Sequence, residues 1–378
     1  MSRHGSSRHP RPATGSAIVV GASLGGLLTA LTLARSGFDV TVVERAAARR
    51  RTGGALVIGE GLVERVTGWD GGPHARAIPT ALAGGGHMWE TIHDSLRATG
   101  ENEDRIVLLH DTRAIETGQD DGTAWVVTDG GETLVADLIV GADGHRSTVR
   151  RAVSPEQPDA RFAGYVIWLG VVEEPDLPAG LRGDRGFDGG AFLGDGDDVM
   201  FGYAMPGRDR NDAGHRQIGW AWYDATHNDF LRTSGHVRGD VVHHSVLSEE
   251  IPEWLNHELA EMVASRWPSP WRDVMQFSLE HHTVTGTPIA EYIPTALVNG
   301  RIALIGDAAH VQTPMTGQGF GSALADAEAL AAALATSAVP QALAAYERER
   351  LSAVRALVQS GRRFSRSFAR DYISHGTP

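Results

Sequence analysis

A glycine-rich loop joins an apolar run to an Ala/Leu-rich stretch near the start of the chain. Its sequence is GASLGG, and it follows AIVV directly. In the pattern G-x-G-x-x-G the first glycine permits a tight turn and the last lets the helix pack close to the strand. A serine stands in the middle position, small enough for close backbone approach and able to offer a hydroxyl. Backbone N–H groups at such a helix start bind phosphate. The segment therefore predicts a pyrophosphate site at Gly21, Ser23, Leu24, Gly25 and Gly26.

An acidic residue, Glu44, stands at the end of the next predicted strand. It lies at about the spacing from Gly21 at which dinucleotide-binding folds place a carboxylate for the ribose. The carboxylate accepts hydrogen bonds from ribose hydroxyls and disfavours a 2′-phosphate. Gly21 and Glu44 together predict a binding site for the adenosine of FAD or NAD rather than for that of NADP.

Two later segments each place an aspartate directly after a predicted strand. In DLIVGADG, Asp143 follows the strand Leu138–Gly141. In RIALIGDAAHVQTPMTGQGFG, the strand Arg301–Ile305 leads into Gly306 and Asp307, and a glycine-rich turn precedes a long helix. An aspartate at a strand end, followed by a helix N-terminus, suits a ribityl chain and an electron-rich ring edge.

Composition excludes several other chemistries. The 378 residues contain no cysteine, and all 34 basic residues are arginine, which rules out thiolate nucleophiles, zinc-thiolate sites, lysine Schiff bases and P-loops. A formal net charge of −13 disfavours nucleic acid and anionic membranes as partners. The 17 histidines include the adjacent pairs His243–His244 and His281–His282, whose members point to different faces, so no metal site is expected.

The elements that must position these residues follow from periodicity. Strand Ala17–Gly21, helix Gly25–Ser36 and strand Asp39–Glu44 form one βαβ unit. Between Gly164 and Tyr223, aromatic residues alternate with other residues in short stretches, and this pattern predicts an antiparallel sheet. Helices are predicted at Thr91–Arg97, Phe320–Ser337 and Gln341–Ser367.

Together, in this order and spacing, the three motifs resemble those of the flavin-dependent aromatic hydroxylases, the class A monooxygenases related to para-hydroxybenzoate hydroxylase. The resemblance covers residues 16–176 and 276–346. Within that group the chain looks closest to the 2,6-dihydroxypyridine 3-hydroxylase branch, because of the G-x-S-x-G-G loop and the segments GYVIWLGVV and PGRDRNDAGHRQIGWAWY. The implied fold is α/β (α+β): a Rossmann-type FAD-binding domain, an inserted antiparallel-sheet substrate domain and C-terminal helices.

We expect the domains to be divided accordingly. Residues 1–15 form a disordered leader, and residues 16–75, 90–160 and 276–340 form a discontinuous FAD-binding domain. Residues 76–89 and 161–275 form the substrate domain, and residues 341–378 the C-terminal helix. The apolar run Ala17–Ala34 resembles a signal peptide, but glycines interrupt it and a second strand follows at once, so a cytoplasmic location is predicted.

The resemblance also implies a role for each matching residue, with FAD held noncovalently. Asp307 would hold the ribityl hydroxyls, Arg97 would reach the phosphates or ribityl chain, and the adenosine end would lie at Glu44 and Arg45. The segment from Pro314 would line the isoalloxazine with a helix N-terminus facing it. The implied contacts beyond the glycine loop are Glu44, Arg45, Arg97, Asp143, Gly306, Asp307, Pro314, Gly317, Gln318, Gly319 and Phe320.

The implied reaction is hydroxylation of an electron-rich aromatic or heteroaromatic small molecule by O2 through a flavin C4a-hydroperoxide. NADH or NADPH would serve as a transient reductant near Asp143–Arg150, since no second dinucleotide loop is present. A Baeyer–Villiger oxygenase or epoxidase on the same scaffold, and a flavin-binding module without catalysis, remain alternatives. The expected partners are a small aromatic substrate and O2, without nucleic acid or membrane, and the chain is expected to be a monomer or homodimer.

Alternating aromatic residues on three predicted strands are the candidates for the substrate pocket. They form either the core of the sheet or an aromatic wall over the flavin. The predicted substrate contacts are Trp168, Phe201, Tyr203, Trp220, Trp222 and Met315. No residue stands out as a catalytic base, and Tyr203 and His310 are the candidates.

Overall fold

The computed structural model describes residues 14–47, 55–58, 85–195, 198–207 and 213–375. Most of the predicted leader lies outside these residues, but Gly15 belongs to the first strand rather than to the leader. Within the described part of the chain, no helix is both long enough and apolar enough to cross a membrane.

The strands of the first half of the chain lie mostly in and around one parallel sheet. They are β1 (Gly15–Val20), β2 (Phe38–Val43), β3 (Ala55–Ile58), β4 (Gly85–Met88), β5 (Ile106–Leu109), β6 (Ala114–Gln119), β7 (Ala124–Thr128), β8 (Thr133–Ala136) and β9 (Leu138–Gly141). Those of the second half are β10 (Arg161–Glu173), β11 (Ala191–Asp195), β12 (Asp198–Met205), β13 (Gln217–Asp224), β14 (Val237–Arg238), β15 (Val241–Val242), β16 (Thr285–Glu291), β17 (Val298–Asn299) and β18 (Ile302–Leu304).

The helices cover the faces of the sheets and form the C-terminal part of the chain. They are α1 (Leu24–Arg35), α2 (Trp89–Glu101), α3 (Arg150–Val153), α4 (Asn228–Thr233), α5 (Glu253–Arg266), α6 (Trp271–Glu280), α7 (Gly306–Ala309), α8 (Gly319–Leu334) and α9 (Val339–His375). Short 3₁₀ turns lie at Ser248–Glu250 and Pro314–Thr316, among other places.

The first large sheet has six strands in the order β17-β18-β9-β1-β2-β5, and all neighbours except β17 and β18 are parallel. Strands β9 and β18 at its centre are continuous buried apolar runs because both faces are covered there, as is usual for parallel sheets. Parallel strands bring their carboxyl ends to one edge, so the loops after β1, β9 and β18 meet there. These are the three loops that carry the predicted cofactor motifs.

The second large sheet is antiparallel and has the order β11-β12-β13-β10-β15-β14, with β16 also paired to β10. Its central register sets Trp168 opposite Trp222, and Gly170 opposite Trp220. Side chains alternate between the two faces of a strand. One face packs against α5 and α6 in a large apolar core, and the other forms a smaller apolar cluster that includes Met315. The mixed α/β architecture predicted from the sequence is thus confirmed.

Candidate functional site

The glycine loop makes the tight connection from β1 to α1 that its sequence predicts. Gly21 has φ +103°, a conformation that favours glycine, and a Cβ there would lie 2.5 Å from the carbonyl oxygen of Ala142. A Cβ on Gly26 would lie 1.8 Å from the carbonyl oxygen of Gly21. The loop therefore tolerates no side chain at either position, and α1 starts directly at the carboxyl end of β1.

Two helices begin at this edge, and no side chain caps the N–H groups at their N-termini. Ser23 is the N-cap of α1 and Gln318 is the N-cap of α8, and neither side chain forms a capping hydrogen bond. Uncapped N–H groups at a helix start seek an acceptor, and the helix dipole favours an anion there. The start of α8 also presents open space at Gly317 and Gly321, where an added Cβ would meet nothing within 4 Å.

Glu44 follows β2 directly, and its side chain stabilises the glycine loop. Its two carboxylate oxygens accept hydrogen bonds from the backbone N–H of Ala22 and of Ala46, each at 2.8 Å, and the residue is 8% exposed. The next residue, Arg45, is exposed. Arg97 on α2 pairs with Glu101 of the same helix at 3.0 Å and remains partly exposed.

Asp307 is the exposed member of an otherwise buried segment after β18. Gly306 and Ala308 on either side of it are buried. No described residue donates a hydrogen bond to its carboxylate, and the residue lies just after the carboxyl end of β18. Desolvation by the surrounding protein raises the pKa of Asp307, and the charges of His310 and Arg150 oppose this rise.

A second aspartate, Asp326 on α8, holds this segment in place, and the sequence analysis missed it. Its buried carboxylate accepts hydrogen bonds from the backbone N–H of Gly306 at 3.0 Å and from Arg350 Nε at 2.8 Å. It also lies 2.7 Å from His310 Nε2. The candidate base His310 is only 1% exposed and is held by this carboxylate, so it acts here as part of the scaffold of the loop.

The carboxylate of Asp143 forms its hydrogen bonds within its own loop. It accepts hydrogen bonds from the hydroxyl of Ser147 at 2.5 Å and from the backbone N–H of Thr148 at 2.6 Å. Burial raises the pKa of Asp143, against these hydrogen bonds that lower it. Its side chain therefore shapes the turn into α3.

Arg150 joins two of the cofactor loops, and the sequence analysis gave it no role of its own. It is fully buried, with Nη1 3.0 Å from the carbonyl oxygen of Ala308 and 3.3 Å from that of Asp307. Its Nη2 donates to the carbonyl oxygen of His145, and its guanidinium stacks over the ring of Tyr292 at 4.2 Å. A guanidinium group holds several N–H donors in a fixed planar arrangement, so this one side chain can bind carbonyl oxygens of both loops at once.

The three predicted tryptophans lie on the face of the antiparallel sheet away from Met315. Trp168, Trp220 and Trp222 are at most 1% exposed and belong to the core shared with α5 and α6. Trp220 donates to Ser278 of α6 at 3.1 Å, and a Cβ on Gly170 would lie 2.6 Å from its ring. They are structural core residues, so we correct the prediction that they line the substrate pocket.

The opposite face carries tyrosines and smaller apolar residues. Tyr165 and Tyr223 form the centre of the cluster in which Phe201 and Met315 are partly buried. Tyr165 Oη lies 2.6 Å from the Thr313 hydroxyl, directly before the loop that contains Met315. Burial raises the pKa of Tyr165 to about 12. Tyr165 also belongs to the alternating aromatic set of the sequence, and Phe201 and Met315 are predicted substrate contacts, whereas nothing in the sequence pointed to Tyr223.

Tyr203 lies on the same face as Phe201 but outside the cluster around Met315. Its ring lies against Gly219, where a Cβ would come within 2.1 Å of it. With Phe192 and Met205 it lines an open cavity of about 370 Å³ at the edge of the sheet.

These features fit a flavin dinucleotide. Two uncapped helix N-termini, an exposed carboxylate without a described donor, and glycines that face open space lie along one edge of a parallel sheet. An aromatic face approaches the same edge through Met315. Pyrophosphate, ribityl hydroxyls and an apolar ring system are the groups that such a row of partners binds.

Comparisons with known proteins agree with this geometry. A family described as "FAD binding domain" matches residues 14–82 and 96–361. The chain is 28% identical to the FAD-dependent urate hydroxylase of Klebsiella pneumoniae, over 95% of this chain and 90% of that protein. It is 27% identical to the 2,6-dihydroxypyridine 3-monooxygenase of Paenarthrobacter nicotinovorans, over 85% and 83% of the two chains. The solved 2,6-dihydroxypyridine-3-hydroxylase of Arthrobacter nicotinovorans shares the fold, with a TM-score of 0.77 at 22% identity over 95% and 94%.

Proposed function

The chain belongs to the FAD-binding-domain family, and from this premise we propose that it is an FAD-dependent monooxygenase that hydroxylates a small aromatic or heteroaromatic ring. Relatives that align along most of its length are named as hydroxylases and monooxygenases of heteroaromatic compounds. The observation that carries the proposal is the packing of Met315, in the loop after Asp307, against the tyrosine-bearing face of the antiparallel sheet. This packing joins the cofactor edge to an apolar, aromatic face.

The residues of the parallel sheet edge would bind and orient the cofactor. The start of α1 at Ser23 would bind the pyrophosphate, and Glu44 would fix the loop against the adenosine ribose. Asp307 would accept hydrogen bonds from the ribityl hydroxyls. The start of α8 would face the isoalloxazine, where its partial positive charge favours an electron-rich ring.

When bound, FAD supplies the redox chemistry that accepts hydride from a nicotinamide and delivers oxygen from O2 to the substrate. The reductant, NADH or NADPH, would bind transiently at the surface near Asp143–Arg150. Arg146 in this segment is exposed and donates to the carbonyl oxygen of His243. No step of the proposal needs a metal.

The tyrosine face would bind the ring and exclude water from it. Along this face the alternating residues from Tyr165 to Val171, from Val199 to Met205 and from Gly219 to Tyr223 are uncharged. Arg362, which lies beside Tyr165 through Ser365 and Glu291, is already paired with Glu291 at 2.9 Å. The described part of this face therefore offers no free cation to a carboxylate, and burying an unpaired charge is costly. We therefore infer an uncharged ring that bears a hydroxyl or ring N–H group, rather than an aromatic acid.

Proton removal would fall to the substrate's own acidity or to water. His310 is held by Asp326 in the scaffold, and Tyr203 lies outside the cluster around Met315. An acidic ring hydroxyl or N–H group loses its proton without a strong base and becomes more nucleophilic at carbon. This requirement again favours hydroxypyridine-like or phenolic rings over plain hydrocarbons.

The first experiment measures bound FAD. Purified protein is expected to be yellow and to release FAD on denaturation, and Asp307→Ala should retain less than about a tenth of it. Loss of a charged hydrogen-bond acceptor costs on the order of 1.5–3 kcal/mol, or roughly 10- to 100-fold in affinity. Asp176→Ala, an exposed aspartate on another surface, is the matched control and should keep its full FAD content.

The second experiment identifies the reaction. With NADH or NADPH and a panel of hydroxylated heteroaromatic rings, one atom of isotope-labelled O2 should enter the product as a hydroxyl. A labelled ester or lactone would instead support a Baeyer–Villiger oxygenase. Protein that binds FAD but that neither nicotinamide reduces, with any ring present, would contradict the proposal and indicate a binding module.

A further inference from the structure

A cluster of two histidines and a glutamate lies between β14 and the 3₁₀ turn Ser248–Glu250, outside the residues assigned to the cofactor. His236 directly precedes β14, His244 follows β15, and Glu250 ends the 3₁₀ turn Ser248–Glu250. One ligand atom from each lies within 4.8 Å of the others. The Nδ1 atoms of the two histidines are only 2.9 Å apart. The adjacent histidine pairs of the sequence predict no metal site, whereas the β14–β15 hairpin brings together two histidines that are separated along the chain.

We propose that His236, His244 and Glu250 bind a divalent transition metal, with zinc as the best match. Two imidazole nitrogens and a carboxylate form a donor set that zinc binds in proteins, with a fourth position left for water. Nitrogen ligands disfavour magnesium and calcium, which prefer oxygen. Two imidazole nitrogens this close also fit ligands that share one small cation.

The backbone around the cluster is held firmly, so the ligands need little rearrangement. The N–H of His243 donates to the carbonyl oxygen of His236 at 2.8 Å, which closes the β14–β15 hairpin. Glu250 Oε2 accepts from the backbone N–H of Leu247 at 2.8 Å, which orients the carboxylate. The N–H of Val246 donates to Gly286 of β16 at 2.7 Å and ties the segment to the sheet.

The ligands differ in accessibility in a way that suits a surface site. His236 is 2% exposed, while His244 and Glu250 are exposed. One ligand is thus fixed in the protein and two are open to metal from solvent. A bound metal would join the hairpin to the 3₁₀ turn. The neighbouring residue His243 accepts a hydrogen bond at its carbonyl oxygen from Arg146, in the loop after β9.

The test measures zinc binding to the purified, FAD-loaded protein after treatment with a chelator. Titration with zinc chloride is followed by calorimetry, and metal content is measured after dialysis. We expect one zinc per chain at this site, and an affinity at least about 10-fold lower in His244→Ala and in Glu250→Gln. The exposed neighbours supply matched controls, since His257→Ala and Glu249→Gln should bind zinc as the unaltered protein does.

Three results would overturn the proposal. Zinc binding that is equal in the unaltered protein and in His244→Ala would place the metal elsewhere. Absence of zinc binding would show that the cluster is a hydrogen-bonded histidine pair only. Equal binding of magnesium would contradict the donor set. Both ligand variants change exposed side chains, and unchanged FAD content would confirm that they fold.

Discussion

The two faces of the antiparallel sheet are made of the same strands but of different aromatic residues. The helix-covered face has Trp168, Trp220 and Trp222, each buried and each with its indole N–H bonded to a protein group. The other face has Tyr165 and Tyr223 and reaches the loop after β18. One face is a closed core, and we propose that the other forms a wall of the substrate site.

The difference shows that aromatic size alone does not mark a binding surface. A large indole fills volume best where helices close over it, and its single donor is satisfied within the protein. The tyrosine face has smaller side chains such as Ala221 between its rings, and it is the face against which Met315 packs. We therefore expect substitutions on the two faces to separate stability from catalysis.

Trp220→Ala should give the largest effect, a loss of about 3–5 kcal/mol in the free energy of unfolding. The substitution leaves a cavity against α6 and removes the donor to Ser278. Urea unfolding measures the loss. Trp254→Ala removes an indole that is 56% exposed and should change stability by less than about 0.5 kcal/mol. Unchanged stability with altered substrate affinity in Trp220→Ala would reverse the assignment of the two faces.

The histidine under the tryptophan face should make stability depend on pH. Burial lowers the pKa of His227, but the hydrogen bond to Asp224 and the charges of Asp224 and Glu258 outweigh it, so the net shift is upward. Asp224 also accepts from Trp168 Nε1 at 2.7 Å. The stabilisation is fully present below the ordinary histidine pKa of 6.5. It is lost as pH rises through the raised pKa.

Unfolding free energies measured from mildly acidic to alkaline pH test this. The unaltered protein should lose stability with a slope of at most about 1.4 kcal/mol per pH unit from this group. His227→Gln should flatten that part of the profile. His257→Ala, an exposed histidine on α5, should leave the profile unchanged. An equally steep profile in His227→Gln would assign the dependence to another group.

Phe201→Ala should affect catalysis more than stability. Loss of one aromatic contact to the substrate corresponds to about 1 kcal/mol, or roughly a fivefold fall in kcat/KM. Steady-state kinetics and the ratio of product to nicotinamide consumed measure it. Trp222→Phe, which alters a residue of β13 on the other face, should leave KM unchanged. A larger rise in KM in Trp222→Phe than in Phe201→Ala would contradict the assignment of the two faces.

Tyr165→Phe should give the smallest effect. It removes the hydrogen bonds of Tyr165 Oη with Thr313 at 2.6 Å and with Ser365 at 3.3 Å, worth about 1 kcal/mol together in a site that stays packed. The loop that carries Met315 should loosen, and a larger share of nicotinamide should be consumed without product. Tyr203→Phe is the control, and a greater loss of activity there would restore Tyr203 as a catalytic candidate.

The sequence predicted the nucleotide fold closely because its signals are local. The apolar run of β9 has the predicted bounds, Leu138–Gly141. Strand β1 and helix α1 begin and end within two residues of prediction, since the glycine loop fixes their junction. The family resemblance is confirmed over most of the chain. The domain boundaries and the cofactor contacts residue by residue stay predictions.

The site was harder to predict where it depends on which element covers which face. Alternation correctly separates Phe201 from Met200, but it does not say which side of the sheet α5 and α6 will cover. The contacts of Arg150 and Asp326 join segments far apart in the chain, and no local pattern marks them. Glycines opposite tryptophans, such as Gly170 and Gly286, were the overlooked signal, since each leaves space for an indole.

The position of β18 has a consequence for how the protein is made. This strand pairs with β9 and supplies the loop of Asp307, yet it is translated after the whole antiparallel sheet. Arg150 meets its carbonyl partners at Asp307 and Ala308 only then. On the ribosome, the edge of β9 that pairs with β18 must therefore stay unpaired until about four-fifths of the chain has been synthesised. A cofactor that needs the loop of Asp307 would therefore bind only after this late segment has been synthesised.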